Sequence, residues 1–148
     1  MAFAFRLQSI LHYRQSLEHQ QELRLRAANQ QVARVRHLVV QMDAHRQELH
    51  SAQNKQMSAG TTAAELQFEL LCEVELLRHR RELSQQLVRL EQLRDQQREI
   101  LHLARQARET LEAVREREFV LYRKEAGRRE QRNLDDLFLM RREYLRHR

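Results

Sequence analysis

Apolar and small residues recur three and four positions apart through the first third of the chain, with no proline or glycine to interrupt them. This spacing places them on one side of an α-helix and is the heptad pattern of a coiled coil. Arg46 is the one polar residue within the row. The pattern predicts a first helix from about residue 4 to about residue 53. Its seam is expected to contain Leu25, Ala28, Val32, Val35, Val39, Met42 and Leu49.

The segment SAQNKQMSAGTTAAE, residues 51–65, ends this row. Gly60 tolerates a positive φ, and Asn54 and Ser58 compete for local backbone hydrogen bonds, so the segment favours a turn. Thr62 precedes Glu65 by three residues, which is the spacing of a capping box at a helix start. We therefore expect a turn at about residues 54–61 and a second helix from about residue 62 to about residue 145.

The second helix carries its own apolar row, with polar residues at Gln97 and Glu118. Two long helices joined by one turn fold back on each other, because each apolar row needs a partner and its neighbour is nearest. We expect an all-α fold, a single domain over residues 1–148 that forms an antiparallel coiled-coil hairpin. The second seam is expected to contain Leu90, Leu93, Ile100, Ala104, Ala107, Leu111, Val114 and Leu121.

A turn centred near Ser58 leaves the second helix longer than the first, with an overhang after about residue 115 that spans about 45 Å if helical. Leu134, Leu137, Phe138, Arg141 and Leu145 then form one narrow stripe on this overhang. The hairpin offers this stripe no partner, so it is expected to bind another protein. The alternative is a kink or fold-back at residue 127, because glycine disfavours a helix interior by about 1 kcal/mol.

Apolar residues are also in excess beside the turn, in AELQFELLCEVELL, residues 64–77. A seam against one helix uses two positions in seven, and Phe68 and Leu71 do not fit the stripe of Leu70, Val74 and Leu77. Two interpretations remain open. The excess either widens the contact with the first helix, where Leu38 and Val39 are adjacent, or forms a docking surface near the hairpin tip.

The composition agrees with long helices and a thin seam. The chain has no proline or tryptophan, two glycines, 5% aromatic and 32% charged residues. Cys72 is the single cysteine, so no internal disulfide is expected. No apolar run approaches the roughly 20 residues that span a bilayer, and the N-terminus lacks the pattern of a secretory signal. We expect a cytoplasmic protein without direct membrane insertion.

Charge and candidate chemistry exclude several function classes. The formal net charge is +6, but basic and acidic residues are interleaved, whereas a helix that reads DNA presents a nearly acid-free face. Two glycines cannot build a phosphate-binding loop. The histidines contain no pair four residues apart, and a two-helix rod has no enclosed pocket. We expect no enzyme activity, no cofactor, no metal and no nucleic-acid partner.

Two patterns stand at the ends of the chain, FRLQSILHYRQSLEHQQ at residues 5–21 and REQRNLDDLFLMRREY at residues 129–144. Together they resemble the FliJ family of the flagellar type III export apparatus. FRLQSILHYRQSLEHQQ resembles the family's opening pattern of an aromatic residue, Leu-Gln, an aliphatic pair, Arg and Glu, which here are Phe5, Leu7, Gln8, Ile10, Leu11, Arg14 and Glu18. REQRNLDDLFLMRREY resembles its closing pattern, which here is Glu130, Gln131, Arg132, Leu134, Asp135, Asp136 and Leu137. With the length and the single turn, the resemblance covers the whole chain. Gly127 departs from the pattern.

The resemblance implies a soluble, stalk-like coiled coil of flagellum biogenesis. Such proteins associate with the hexameric export ATPase and with the cytoplasmic domain of the export gate, and they are credited with handling export chaperones. The alternatives are a general coiled-coil scaffold whose overhangs pair between chains and, less favoured, a basic helix that binds nucleic acid. We expect gate contacts near the tip at Leu38, Met42, Phe68 and Leu71. We expect ATPase contacts at the open end at Phe5, Leu7, Leu11, Arg14, Leu134, Asp135, Leu137 and Phe138.

Overall fold

The fold is an all-α helical hairpin, as the apolar pattern predicted. The computed structural model describes residues 3–146, which form helix α1 (Gln8–Ala59) and helix α2 (Ala63–Arg146). The two helices pack against each other in antiparallel orientation, since Arg36 pairs with Glu91 while Asp43 pairs with Arg80. Only Gly60, Thr61 and Thr62 lie between them.

The turn is shorter than expected because α1 continues to Ala59. Ser51 and Ser58 turn their hydroxyls onto the carbonyls of Glu48 and Lys55, at 2.8 and 2.6 Å, so their local hydrogen bonds are made within the helix. Gly60 has φ 97°, a left-handed conformation that suits glycine after a helix end. The turn is therefore centred a few residues later than Ser58.

The predicted capping box starts α2. The backbone N–H of Thr62 donates to Glu65 Oε2 at 2.9 Å, and the N–H of Glu65 donates to Thr62 Oγ1 at 3.4 Å. The hydrogen bond from the Thr62 backbone holds the pKa of Glu65 below its ordinary value. These bonds satisfy amides that a helix start otherwise leaves free, so the boundary follows from local sequence alone.

The seam of α1 is confirmed. Val32 and Val35 are buried, and the polar intruder Arg46 lies half-buried in the same row. The other predicted positions are half-buried: Leu25, Ala28, Val39, Met42 and Leu49.

The seam of α2 was only partly predicted. Leu93, Ile100 and Leu121 are 57%, 47% and 60% exposed, so their assignment to the seam was wrong. The inward positions are each one residue later, at Arg94, Leu101 and Tyr122. The neighbouring residues are both apolar at 100 and 101, so the pattern alone left two choices. The remaining predicted positions are buried or half-buried: Leu90, Gln97, Ala104, Ala107, Leu111, Val114 and Glu118.

Close to the turn, α2 turns mainly charged residues toward α1. Glu69, Glu73 and Arg80 lie half-buried beside Leu76, whereas Leu70 and Val74 are 57% and 62% exposed. The stripe of Leu70, Val74 and Leu77 is therefore not part of the seam. Charged side chains occupy the inward side because α1 supplies opposite charges there, as the ion pairs below show.

The chain comprises two compact units, of which one is His19–His102 with the turn. Polar layers cross its seam. Gln97 Nε2 donates to Gln21 Oε1 at 2.7 Å, and Gln21 is only 7% exposed. Nearer the turn Arg80 binds both carboxylate oxygens of Asp43, and its hydrogen bonds hold the pKa of Asp43 below its ordinary value. Such layers fix the register, because a slipped pairing leaves buried amides unpaired.

The other unit is Met1–Glu18 with Leu103–Arg148, of which residues 3–18 and 103–146 are described. Glu18 accepts hydrogen bonds from Arg105 and Arg108, and the bond to Glu18 raises the pKa of Arg108. Phe3 packs edge-on against Phe119 with ring centroids 5.3 Å apart. The paired region therefore extends past residue 115, where the overhang was expected to begin.

Helix α2 is continuous through Gly127 to Arg146, so the chain does not fold back at that glycine. Nothing lies within 4 Å of a Cβ placed on Gly127. All side chains of residues 127–146 are exposed, a length of about 30 Å at the helical rise. The overhang exists and is shorter than predicted because the turn is centred later.

Cysteines at positions 21 and 97, in a Cys72→Ser background, are expected to be joined readily by a short thiol crosslinker within one chain. The two glutamine side chains that they replace are in direct hydrogen-bond contact. Mass spectrometry of the product should show the mass of one chain. Moving the second cysteine to Gln85 separates the pair by about 18 Å along α2 and should abolish the product. Crosslinks found only between chains would contradict the hairpin.

Candidate partner-binding surfaces

The exposed end of α2 carries large apolar side chains that do not pack against α1. Phe138 and Met140 are 67% and 69% exposed. Isolated exposed apolar residues are ordinary, but a concentration of seven within one helical segment is typical of a binding surface. The seven are Leu134, Leu137, Phe138, Leu139, Met140, Tyr144 and Leu145.

Most of these side chains lie on one face. Leu134, Leu137, Phe138, Arg141 and Leu145 follow one another at spacings of three or four residues, and we call this set the C-terminal stripe. Met140 and Tyr144 widen the same face, whereas Leu139 lies on the other side of the helix. The structure thus brings together the predicted residues Leu134, Leu137 and Phe138. Asp135 lies beside the stripe, where its carboxylate accepts a hydrogen bond from Gln131 at 3.1 Å.

Charged residues flank the stripe. Arg129 lies 3.6 Å from Glu125, and Arg146 lies 3.8 Å from Glu143, both as pairs within the helix. Within residues 3–146, neither Arg128 nor Arg132 forms an ion pair. These two guanidinium groups can therefore take carboxylates of a partner without breaking an existing pair.

The residues predicted at the start of α1 have a different environment. Phe5 is 8% exposed and Leu11 is fully buried, so both belong to the hairpin's own core. Leu7 and Arg14 are half-buried. This end of α1 supports the fold, and only Leu7 and Arg14 keep surface that a partner can touch.

An aromatic cluster at this end was not predicted. Phe3 contacts Tyr122 with ring centroids 5.6 Å apart in addition to Phe119, and Arg123 lies over the Phe119 ring at 6.0 Å. The available signal was the aromatic pair at residues 119 and 122, three positions apart on one helix face.

A groove of about 230 Å³ lies between the helices near the turn. Phe68, 68% exposed, borders it, so this predicted residue is placed at an opening between helices. The volume suits one or two side chains of a partner and is below the usual size of small-molecule sites. The apolar part of the lining consists of Leu49, Ala52, Phe68, Cys72 and Leu76.

Arg46, His50 and Glu73 form a charged cluster within the groove lining. Glu73 Oε1 lies 3.5 Å from Arg46 Nη2 and 3.2 Å from His50 Nε2. The Nε of Arg46 is buried and has no hydrogen-bond partner among the described residues. A partner that inserts an apolar side chain would suit the apolar part of this groove.

The other predicted tip residues do not line the groove. Leu71 is 62% exposed on α2, Leu38 is 39% exposed on α1, and Met42 is half-buried in the seam. Because both side chains are exposed, Phe68 and Leu71 do not widen the contact with α1, and the docking surface stays a prediction.

Neither a metal centre nor a membrane span is found in the part of the chain that the structure describes. Residues 3–146 hold no group of three His, Cys, Asp or Glu side chains arranged to bind a metal ion. Their helices also lack any stretch long and apolar enough to cross a bilayer.

Comparison with known proteins gave one finding. A family model described as "Flagellar FliJ protein" matches residues 3–147 of the 148-residue chain. Neither the curated proteins nor the solved structures contain a match. The family match covers both helices and both candidate surfaces.

Proposed function

Because the chain belongs to the flagellar FliJ family, whose members serve flagellar export, we propose that it is a non-catalytic coupling component of the export apparatus. In this role it links the hexameric export ATPase to the cytoplasmic domain of the export gate. It acts in the cytoplasm at the face of the membrane-embedded apparatus.

The observation that carries this proposal is the exposed end of α2. Residues 127–146 continue as a helix, and the C-terminal stripe is exposed along it. Burial of each large apolar side chain in a ring stabilises the complex by up to about 1.5–3 kcal/mol. Arg128 and Arg132 add cations that can meet carboxylates of the ring. We assign this surface to the ATPase.

A helix inside a ring can act without chemistry of its own. The apolar stripe covers one face and the charged residues cover the rest, so subunits around the helix meet different surfaces. A binding partner shifts the equilibrium between two conformations of a subunit only as far as it binds one more tightly than the other. Because the helix is asymmetric, it can favour different conformations in different subunits of the ring. The proposed effect is a bias on the ATPase cycle, measurable as stimulation.

We assign the gate to the groove near the turn. Phe68 and the groove wall present apolar surface. A gate segment that carries an apolar side chain can occupy the groove. Leu71 lies three residues after Phe68, so its exposed side chain can extend the contact. Export chaperones are a further partner class of this proposal, without an assigned surface.

The test uses the full chain with the export ATPase and the gate's cytoplasmic domain from the same organism. We expect the chain to raise the ATPase rate and, in a separate titration, to bind the gate domain. Sedimentation of the isolated chain should give the mass of a monomer. A stable dimer that neither stimulates the ATPase nor binds the gate would refute the proposal in favour of a general coiled-coil scaffold.

A further inference from the structure

A second apolar surface near the turn lies on α2, outside the groove and beside the positions turned toward α1. Leu66, Leu70, Val74 and Leu77 are 37%, 57%, 62% and 36% exposed, and we call them the tip row. Their spacings of four, four and three residues place them on one line along the helix. Sequence reasoning had assigned most of this line to the intramolecular seam.

The tip row is separate from the contacts described above. The positions of α2 turned toward α1 in this segment are Glu69, Glu73 and Leu76. None of the four tip-row residues lines the groove beside Phe68. The row therefore has the spacing of a coiled-coil seam. Its middle residues Leu70 and Val74 are more than half exposed, whereas Leu66 and Leu77 are partly covered within the hairpin.

The form of the row points to a helix as its occupant. It extends over about 16 Å at 1.5 Å per residue and is a single line, which is the footprint that one α-helix covers with its own residues three and four apart. An extended strand would need a free sheet edge, and α2 provides none. Helix-on-helix packing is the recognition mode that this surface fits.

Arg81 indicates that the helix bound there should carry an acidic residue. It follows Leu77 by four residues on the same line and forms no ion pair within residues 3–146. Its neighbours differ, because Arg78 lies 3.2 Å from Glu75 and Arg80 is bound to Asp43. A carboxylate on the occupant, placed one turn beyond its last apolar residue, would pair with Arg81.

A second copy of this chain is a poorer occupant. Two tip rows packed in parallel would bring one Arg81 against the other, which is repulsive. Packed antiparallel, each Arg81 would lie beyond the other copy's Leu66, where the same line carries Ala63 and no carboxylate. Four side chains also supply far less than the roughly 1,200 Å² that stable interfaces bury. The row is suited to a contact within a larger complex, not to a dimer of its own.

We propose that the tip row binds an amphipathic α-helix of a partner protein, which packs on α2 as a third helix and places a carboxylate against Arg81. This inference does not rest on the assignments to the ATPase or the gate, because the tip row shares no residue with either surface.

The test uses the full chain and three stapled helical peptides of about 14 residues, the length that covers the row. One has leucines three and four residues apart with a glutamate in the position that would face Arg81, one has lysine in that position, and one is a scrambled sequence. We expect the glutamate peptide to bind about tenfold more tightly than the scrambled one. Leu70→Ser with Val74→Ser should remove that difference, and Arg81→Glu should reverse the preference to the lysine peptide.

Leu93→Ser is the matched control, since Leu93 is as exposed as Leu70 but lies off the row. It should leave peptide binding unchanged, and helicity and melting temperature should be unchanged in all variants. Equal binding of glutamate and scrambled peptides would overturn the proposal. Peptide binding that persists in the Leu70→Ser, Val74→Ser variant would also overturn it. So would an isolated chain that sediments as a dimer and becomes a monomer in that variant, because the row would then pair two copies.

Discussion

Truncation after Arg132 is expected to abolish stimulation of the export ATPase while binding to the gate domain is retained. The truncation removes the C-terminal stripe and leaves the groove near Phe68 intact. Since all described side chains of residues 133–146 are exposed, the loss removes no packing from the hairpin. The melting temperature of the isolated protein should change by less than about 3 °C, as for surface changes in a chain of this size.

A finer version of the same experiment separates the stripe from helix length. Leu137→Ser with Phe138→Ser should reduce stimulation by at least about tenfold, because two large apolar contacts are lost. Leu139→Ser is the control, since Leu139 is 54% exposed on the other side of the same helix. Normal stimulation by the truncated chain would remove the assignment. A marked fall in melting temperature would show that the stripe folds onto its own hairpin.

Replacement of Phe68 and Leu71 by serine is expected to weaken binding to the gate's cytoplasmic domain by at least about tenfold. Both side chains are more than half exposed, so the substitutions remove contact surface without opening a cavity in the seam. Helicity and stimulation of the ATPase should stay near those of the unchanged protein. Titration of the gate domain by calorimetry, beside circular dichroism of each variant, measures the two effects separately.

The matched control for this pair is Leu93→Ser with Leu103→Ser, two exposed leucines on the same helix at 57% and 63%. Equal loss of gate binding in the control would attribute the effect to general apolar surface and would contradict a site at Phe68. Loss of helicity in the Phe68 and Leu71 variant would place these residues in the packing of the hairpin.

Features that depend on neighbours in sequence were predictable. The Thr62 to Glu65 cap and the turn at Gly60 were read correctly because the groups that form them lie within three residues of one another. The C-terminal stripe was also read correctly, because no other part of the described chain packs on residues 127–146 and the helical repeat alone decides which side chains share a face. In both places the local structure does not depend on contacts with residues distant in sequence.

The seam of α1 was predictable for a related reason. From Leu25 to Leu49 its inward positions are apolar at every step except Arg46, so the row stands out although Leu38 and Val40 flank Val39. The polar position Arg46 did not obscure the row because apolar residues continue on both sides of it.

The seam of α2 required the tertiary structure. Ile100 and Leu101 are adjacent and equally apolar, and the choice between them depends on which face meets α1. On the face that meets α1, Gln97 bonds to Gln21, 76 positions away in the chain. The burial of Phe5 and Leu11 and the contact of Phe3 with Phe119 likewise depend on residues distant in sequence.

The sequence by itself determined that this chain forms two helices, that the second starts at the Thr62 cap and that its C-terminal part exposes an apolar stripe. Only the tertiary structure decided which face of α2 becomes the seam, and with it the exposure of Phe68 and of the tip row. The physical reason is that helix periodicity is a local property, whereas burial depends on the register between two helices, which a few polar pairs between distant residues set.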